Sequence, residues 1–171
     1  MEAFLRARVV NFATRLNWFL ERFCALLVAV MVLDVWFGIV ARYLLELGIT
    51  WTEELARYLM IWAALVAVPC AAFNREHIGL TIVSERLSAG MRRVLHLALD
   101  LLGIAFFLFL FIYGLRMTAD GFNQYAMIFG MTMTLPYASV PVAAGLTVFQ
   151  IAASLLRDGG EWHSRPKELA R

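Results

Sequence analysis

Charge is scarce in this chain, and where it stands decides what chemistry is available. Glu53 and Glu54 open a long apolar run, TWTEELARYLMIW, and Arg57 follows four and three residues after them. On a helix both pairs share a face. Charge at the mouth of an apolar helix is costly unless it has partners. With Arg42 shortly upstream, the set points to a polar rim that organises helices, not to a catalytic pocket. Thr50-Trp51-Thr52-Glu53 also has the form of a capping box, Thr50 accepting from the Glu53 amide and Glu53 reaching back. Two carboxylates lie deeper, Asp34 and Asp100. Each costs about 2.5–3.5 kcal/mol near a bilayer centre unless paired or protonated. They read either as a proton or cation site, or as locally paired groups. In the second reading Asp100 meets His96 one turn earlier, and Asp34 faces a partner helix. His77, His96 and His163 all fall at or beyond the expected cytoplasmic interface, so no facing pair is available to hold a haem. Cys24 and Cys70 sit in apolar runs without CxxC spacing and read as small buried hydrophobes. There is no Ser/His/Asp set, phosphate-cradling glycine loop or metal cluster. Neither an enzyme nor a cofactor is expected.

The elements that must position these groups are membrane helices. Of 171 residues, 62% are hydrophobic and 16% charged, with a mean hydropathy of +0.73. Soluble domains are nearer half apolar and a quarter charged. The net charge of +2 is too small to argue for nucleic acid. The fold class expected is an all-α membrane protein forming a single membrane domain, with four spans at about 23–42, 51–73, 94–116 and 135–156 and a polar tail over 157–171. Pro69 is expected to kink the second span. In residues 4–22, Arg8, Asn11, Arg15 and Arg22 share one helical face. Leu5, Val9, Phe12, Leu16, Phe19 and Phe23 share the next. This pattern predicts an interfacial amphipathic helix, with Arg8, Arg15 and Arg22 as anchors in the lipid headgroups. The first long apolar run starts near Phe23 without a clear cleavage site after it, so it is expected to stay as an anchor.

Fourteen of the 15 basic residues are arginine, and their clumping sets a topology. They gather in the N-terminal segment, the connector between the second and third spans, and the tail. The positive-inside rule then places both termini and that connector in the cytoplasm. No internal repeat is visible, and Pro69 alone interrupts a span deeply. A self-sufficient transporter built on inverted repeats is therefore a poor fit. A scaffold or docking subunit remains.

At this point an ordered set of residues resembles a known family. Arg42-Tyr43, Trp51-Thr52-Glu53-Glu54-Leu55-Ala56-Arg57-Tyr58, Trp62 and His77-Ile78 look like the small membrane subunit of tripartite ATP-independent periplasmic (TRAP) transporters. The order and spacing agree over about 40 residues. Ala67 with Pro69, and Glu76 before the histidine, depart from the usual pattern. The resemblance implies sodium-coupled uptake of organic acids. It also implies a large membrane subunit that carries substrate and sodium, and a periplasmic substrate-binding protein. The small subunit would brace the large one in the lipid bilayer and help receive the binding protein. Arg42, Trp51, Glu53, Glu54, Arg57, Trp62 and His77 would be its interaction and structural residues. Two rivals stand beside this reading: the small subunit of a tripartite tricarboxylate transporter, and a homo-oligomeric proton-coupled exporter using Asp34.

Overall fold

The computed structural model describes residues 2–74 and 89–158. Long helices carry most of them: α1 (Glu2–Tyr43), α2 (Trp51–Asn74), α3 (Ala89–Asp120) and α4 (Thr134–Asp158). A 3-10 turn, Gly121–Asn123, follows α3. An isolated antiparallel bridge from Tyr125 to Thr132 then closes a hairpin before α4. Each of the four helices contains a stretch long and apolar enough to cross a membrane. The chain is an all-α, multi-pass membrane protein. His77 lies outside the described residues, as do the rest of the connector over 75–88 and the tail over 159–171.

The helices do not close into a symmetrical bundle. The main seams are α1 with α2, α2 with α4, and α4 with α3, while α1 meets α4 more lightly. The most apolar stretch of α4 is 50% buried, against 6% for those of α1 and α3. The central helix is therefore α4, and two long apolar helices flank the layer with most of their surface uncovered. Close backbone approach sets two of the seams. A Cβ added at Gly38 in α1 would lie 2.9 Å from the Thr52 hydroxyl of α2, and one added at Gly114 in α3 would lie 3.0 Å from the Pro141 ring of α4. Glycine at these points lets the helices pack closer than a side chain would permit.

The first helix differs from the expectation. Residues 4–22 and the first span form one unbroken helix, with no boundary near residue 22. At 1.5 Å per residue its 42 residues reach about 63 Å, twice a hydrocarbon core of about 30 Å. Its N-terminal half also packs into the protein. Ala13 is buried with Phe73 of α2 and Ala153 of α4, and Leu20 with Val66 and Cys70. The anticipated apolar stripe splits: Val9, Leu16 and Phe23 pack against these clusters, whereas Phe12 and Phe19 stay exposed. Residues that seemed neutral in the periodicity, Ala13 and Asn17, occupy the tightest seam. The antiparallel pairing of α1 with α2 runs from Gly38 beside Thr52, through Cys24 beside Ala63, to Ala13 beside Phe73. Residues 13–22 thus lie alongside the C-terminal third of α2.

Polar groups close the end of the layer where α2 and α4 finish. The last carbonyls of a helix have no partner within it. Here Arg157 Nη2 donates to Phe73 O (3.4 Å), and Arg6 Nε donates to Leu156 O (2.6 Å). Glu21 accepts from Asn17 (2.7 Å) and from Asn74 (3.1 Å), tying α1 to the end of α2. The buried Gln150 amide donates to Ala13 O (3.4 Å). Pro69 is buried within α2, which continues through it as a helix.

Candidate functional site: a polar rim at the start of the second helix

At the opposite end, α2 opens with two acidic residues in its first turn, at the positive end of its dipole. Their fates differ. Glu53 is exposed and pairs with Arg42 at the end of α1, so it turns toward α1 and not back to Thr50. Thr50 forms no side-chain hydrogen bond, and the capping box does not close. Glu54 is only 7% exposed, yet fully engaged. Its Oε1 accepts from the Tyr58 hydroxyl at 2.5 Å, one turn along α2. Its Oε2 accepts from two backbone amides of the hairpin, Ile128 at 3.0 Å and Phe129 at 3.3 Å. Hydrogen bonds to an ionised carboxylate are about twice as strong as neutral ones. Three of them on one buried side chain make Glu54 a latch between α2 and a loop more than seventy residues away in sequence.

The hairpin is shaped to reach the latch. Ala126 N–H donates to Met131 O and Met133 N–H to Gln124 O, both at 2.8 Å. Gly130 turns the chain with φ +61°, in the left-handed region that glycine tolerates best. The Tyr137 hydroxyl of α4 donates to Gln124 Oε1 at 3.0 Å, fixing the hairpin base. Aromatic contacts carry the tie onward to α1: the Trp51 ring lies 6.5 Å from Phe129 and 5.9 Å from Phe37, centroid to centroid. The hairpin is therefore a strap running from α4 across α2 toward α1.

Of the residues the sequence singles out, the structure brings Arg42, Trp51, Glu53, Glu54 and Arg57 together at this rim. Trp62 lies deeper, packed against Leu20, Val66 and Cys70. Arg57 does not pair with the glutamates that precede it on α2. It is exposed, lines a groove beneath the strap, and makes no ion pair among the described residues. Asp34 is 8% exposed, on the face of α1 that leads to Gly38, and its Oδ2 has no hydrogen-bond partner. Arg8, Arg15 and Arg22 are exposed along the N-terminal half of α1. The Arg22 guanidinium stacks 3.4 Å from the Trp18 ring centre and donates to Trp18 O (3.3 Å), so the side chain turns back toward the N-terminus. Sequence reasoning missed the strap. Its one signal was the Phe129-Gly130 turn, and Glu54's acceptors are backbone amides, which no side-chain pattern reveals.

Four helices long and apolar enough to span a membrane, with a strapped polar rim at one end, define a multi-pass membrane protein. Residues 31–159 match the family model described as "Tripartite ATP-independent periplasmic transporters, DctQ component". The chain is 30% identical over 142 residues to a protein of Haemophilus influenzae described as a TRAP transporter small permease protein, covering 82% of this chain and 87% of that one. It is also 29% identical over 113 residues to the "Isethionate TRAP transporter permease protein DctMQ" of Oleidesulfovibrio alaskensis, covering 63% of this chain but only 17% of that much longer one. The chain belongs to the DctQ family of TRAP transporter small permeases, and of the two tripartite systems considered it is the TRAP family that matches.

Proposed function

We propose that this chain is the small membrane subunit of a sodium-coupled TRAP transporter for an organic acid. In this reading it scaffolds a large transport subunit in the bacterial inner membrane and helps dock a periplasmic substrate-binding protein. The observation that carries the reading is the uncovered surface of α1 and α3, whose most apolar stretches are only 6% buried. Long apolar helices with so little internal packing suit a subunit completed by lipid and by a larger membrane partner. The DctMQ name and much greater length of the Oleidesulfovibrio relative support that partner, and the isethionate in its name, an organic sulfonate, supports the ligand class. Arginine clustering supports cytoplasmic termini. The strapped rim would then face the periplasm, where a binding protein arrives. Arg22 would meet lipid phosphates of the inner leaflet by snorkelling along Trp18, with Arg15 and Arg8 progressively further out on the cytoplasmic side.

The test is reconstitution. The small subunit, the large subunit and the binding protein encoded with them are placed in proteoliposomes under an imposed sodium gradient. Uptake of radiolabelled organic acids should need all three components and should collapse without sodium. Uptake by the large subunit and binding protein alone, at the full rate, would remove the scaffold role.

A further inference from the structure

The rim sets Arg42 and Arg57 against Glu53 and Glu54, so it offers no net charge to a partner. Its outermost pair is instead a dipole open to solvent. One Arg42 N–H meets one Glu53 oxygen, and both side chains are more than half exposed. A guanidinium has five N–H donors and a carboxylate two acceptor oxygens. Each member of the pair therefore keeps capacity for a ligand. An ion pair this exposed is weak, and it adapts at small cost when a ligand joins it.

Beside the pair, α1 and α2 bound a cleft of about 400 Å³. Arg42 and Glu53 line it at the helix ends, and Val35, Ile39 and Ala56 line it further into the helices. Val35 to Arg42 covers about 10 Å of helix, so the wall changes from apolar to charged within that distance. Tyr43 and Trp51, both exposed, stand at the charged level. Tyrosine and tryptophan gather at headgroup depth in membranes. The charged end of the cleft thus lies at the membrane–water interface and its apolar end in hydrocarbon.

We propose that this cleft holds a zwitterionic phospholipid with a primary ammonium, of the phosphatidylethanolamine class. Its phosphate meets Arg42, its ammonium meets Glu53, and the first part of an acyl chain lies against Val35 and Ile39. Two opposite charges side by side match a headgroup that carries both. The guanidinium fork suits phosphate oxygens, and an ammonium has three N–H donors for the carboxylate. Phosphatidylglycerol offers Glu53 hydroxyls and no cation. Phosphatidylcholine offers a cation without an N–H to donate. A helix of a partner protein needs a long apolar trough, and this cleft turns charged within two turns of α1. The site needs only a bilayer around the helices, and not the docking role proposed above.

For the test, the full chain is expressed with the membrane proteins encoded beside it, purified by a tag and delipidated in mild detergent. Native mass spectrometry then reads binding of added phosphatidylethanolamine, phosphatidylcholine and phosphatidylglycerol with matched acyl chains. Phosphatidylethanolamine should bind roughly fivefold or more tightly than either of the others. Glu53→Gln should cut its lead over phosphatidylcholine to within about twofold, and Arg42→Gln should weaken both lipids. Val35→Trp leaves the ion pair in place and fills the apolar half of the cleft. It should weaken phosphatidylethanolamine by roughly fivefold. Equal binding of the three lipids overturns the proposal. So does a phosphatidylethanolamine lead that survives all three substitutions, which puts the lipid elsewhere. If Glu53→Gln and Arg42→Gln fail to assemble, Val35→Trp decides, and unchanged binding overturns the idea. Disassembly of the delipidated protein by Val35→Trp also overturns it, because the cleft is then a seam with another protein.

Discussion

Glu53 and Glu54 are adjacent and chemically alike, yet they do different work. Glu53 makes one exposed ion pair, a class worth about 0.2–1 kcal/mol. Glu54 is buried with three donors, and removing it leaves two hairpin amides without their acceptor and the Tyr58 hydroxyl with only the Met133 sulfur at 3.6 Å. Each part-buried hydrogen bond of this kind contributes about 0.5–1.5 kcal/mol. Glu54→Ala should therefore loosen the strap, seen as a mobile spin label at position 127 and faster exchange of the Ile128 and Phe129 amides. Thr50→Ala should change neither, because Thr50 makes no hydrogen bond to lose. Equal effects from the two substitutions would mean that helix capping, and not the latch, is what these residues provide.

Helix packing turns on small residues. Gly38 sits against Thr52, so any side chain at 38 must push α1 from α2. Overpacking of this kind costs about 1–3 kcal/mol. Gly38→Val should lower the melting temperature of the detergent-solubilised protein and reduce its assembly, whereas Gly48→Ala, with open space around it, should be silent. The four elements themselves were legible in the sequence, since apolar runs bounded by charge mark spans directly. The expected 51–73 and 135–156 fall within a residue or two of α2 and α4. The seams were not legible, because Gly38, Gly114 and Ala13 matter for what they lack, and hydropathy is blind to that. The same blindness produced the separate interfacial helix. Arginine spacing in 4–22 is real, but amphipathic periodicity reports that a face is buried, not whether lipid or protein buries it. The unbroken α1 now predicts progressive depth, with labels at positions 8, 15 and 22 each deeper than the last and positions 13, 17 and 20 immobilised. Equal depth at all three arginine positions would show that the bilayer bends the helix flat.

At the scale of the whole molecule the rim was half legible. The charged cluster announced itself, and its pairing did not, because the partners of Glu54 come from a hairpin far along the chain. A groove of about 580 Å³ opens at the rim beneath the strap. The larger features are a central α4, a strapped end, and two long flanking helices with open apolar surface. These features suit the proposed role of a brace. The most direct measurement of that claim is native mass spectrometry of the tagged chain, expressed with the membrane and secreted proteins encoded beside it and extracted in mild detergent. A defined complex with one large membrane subunit, and poor recovery of the chain when that subunit is deleted, is the result predicted. A stable, monodisperse assembly of this chain alone that carries an organic acid across liposomes would contradict it.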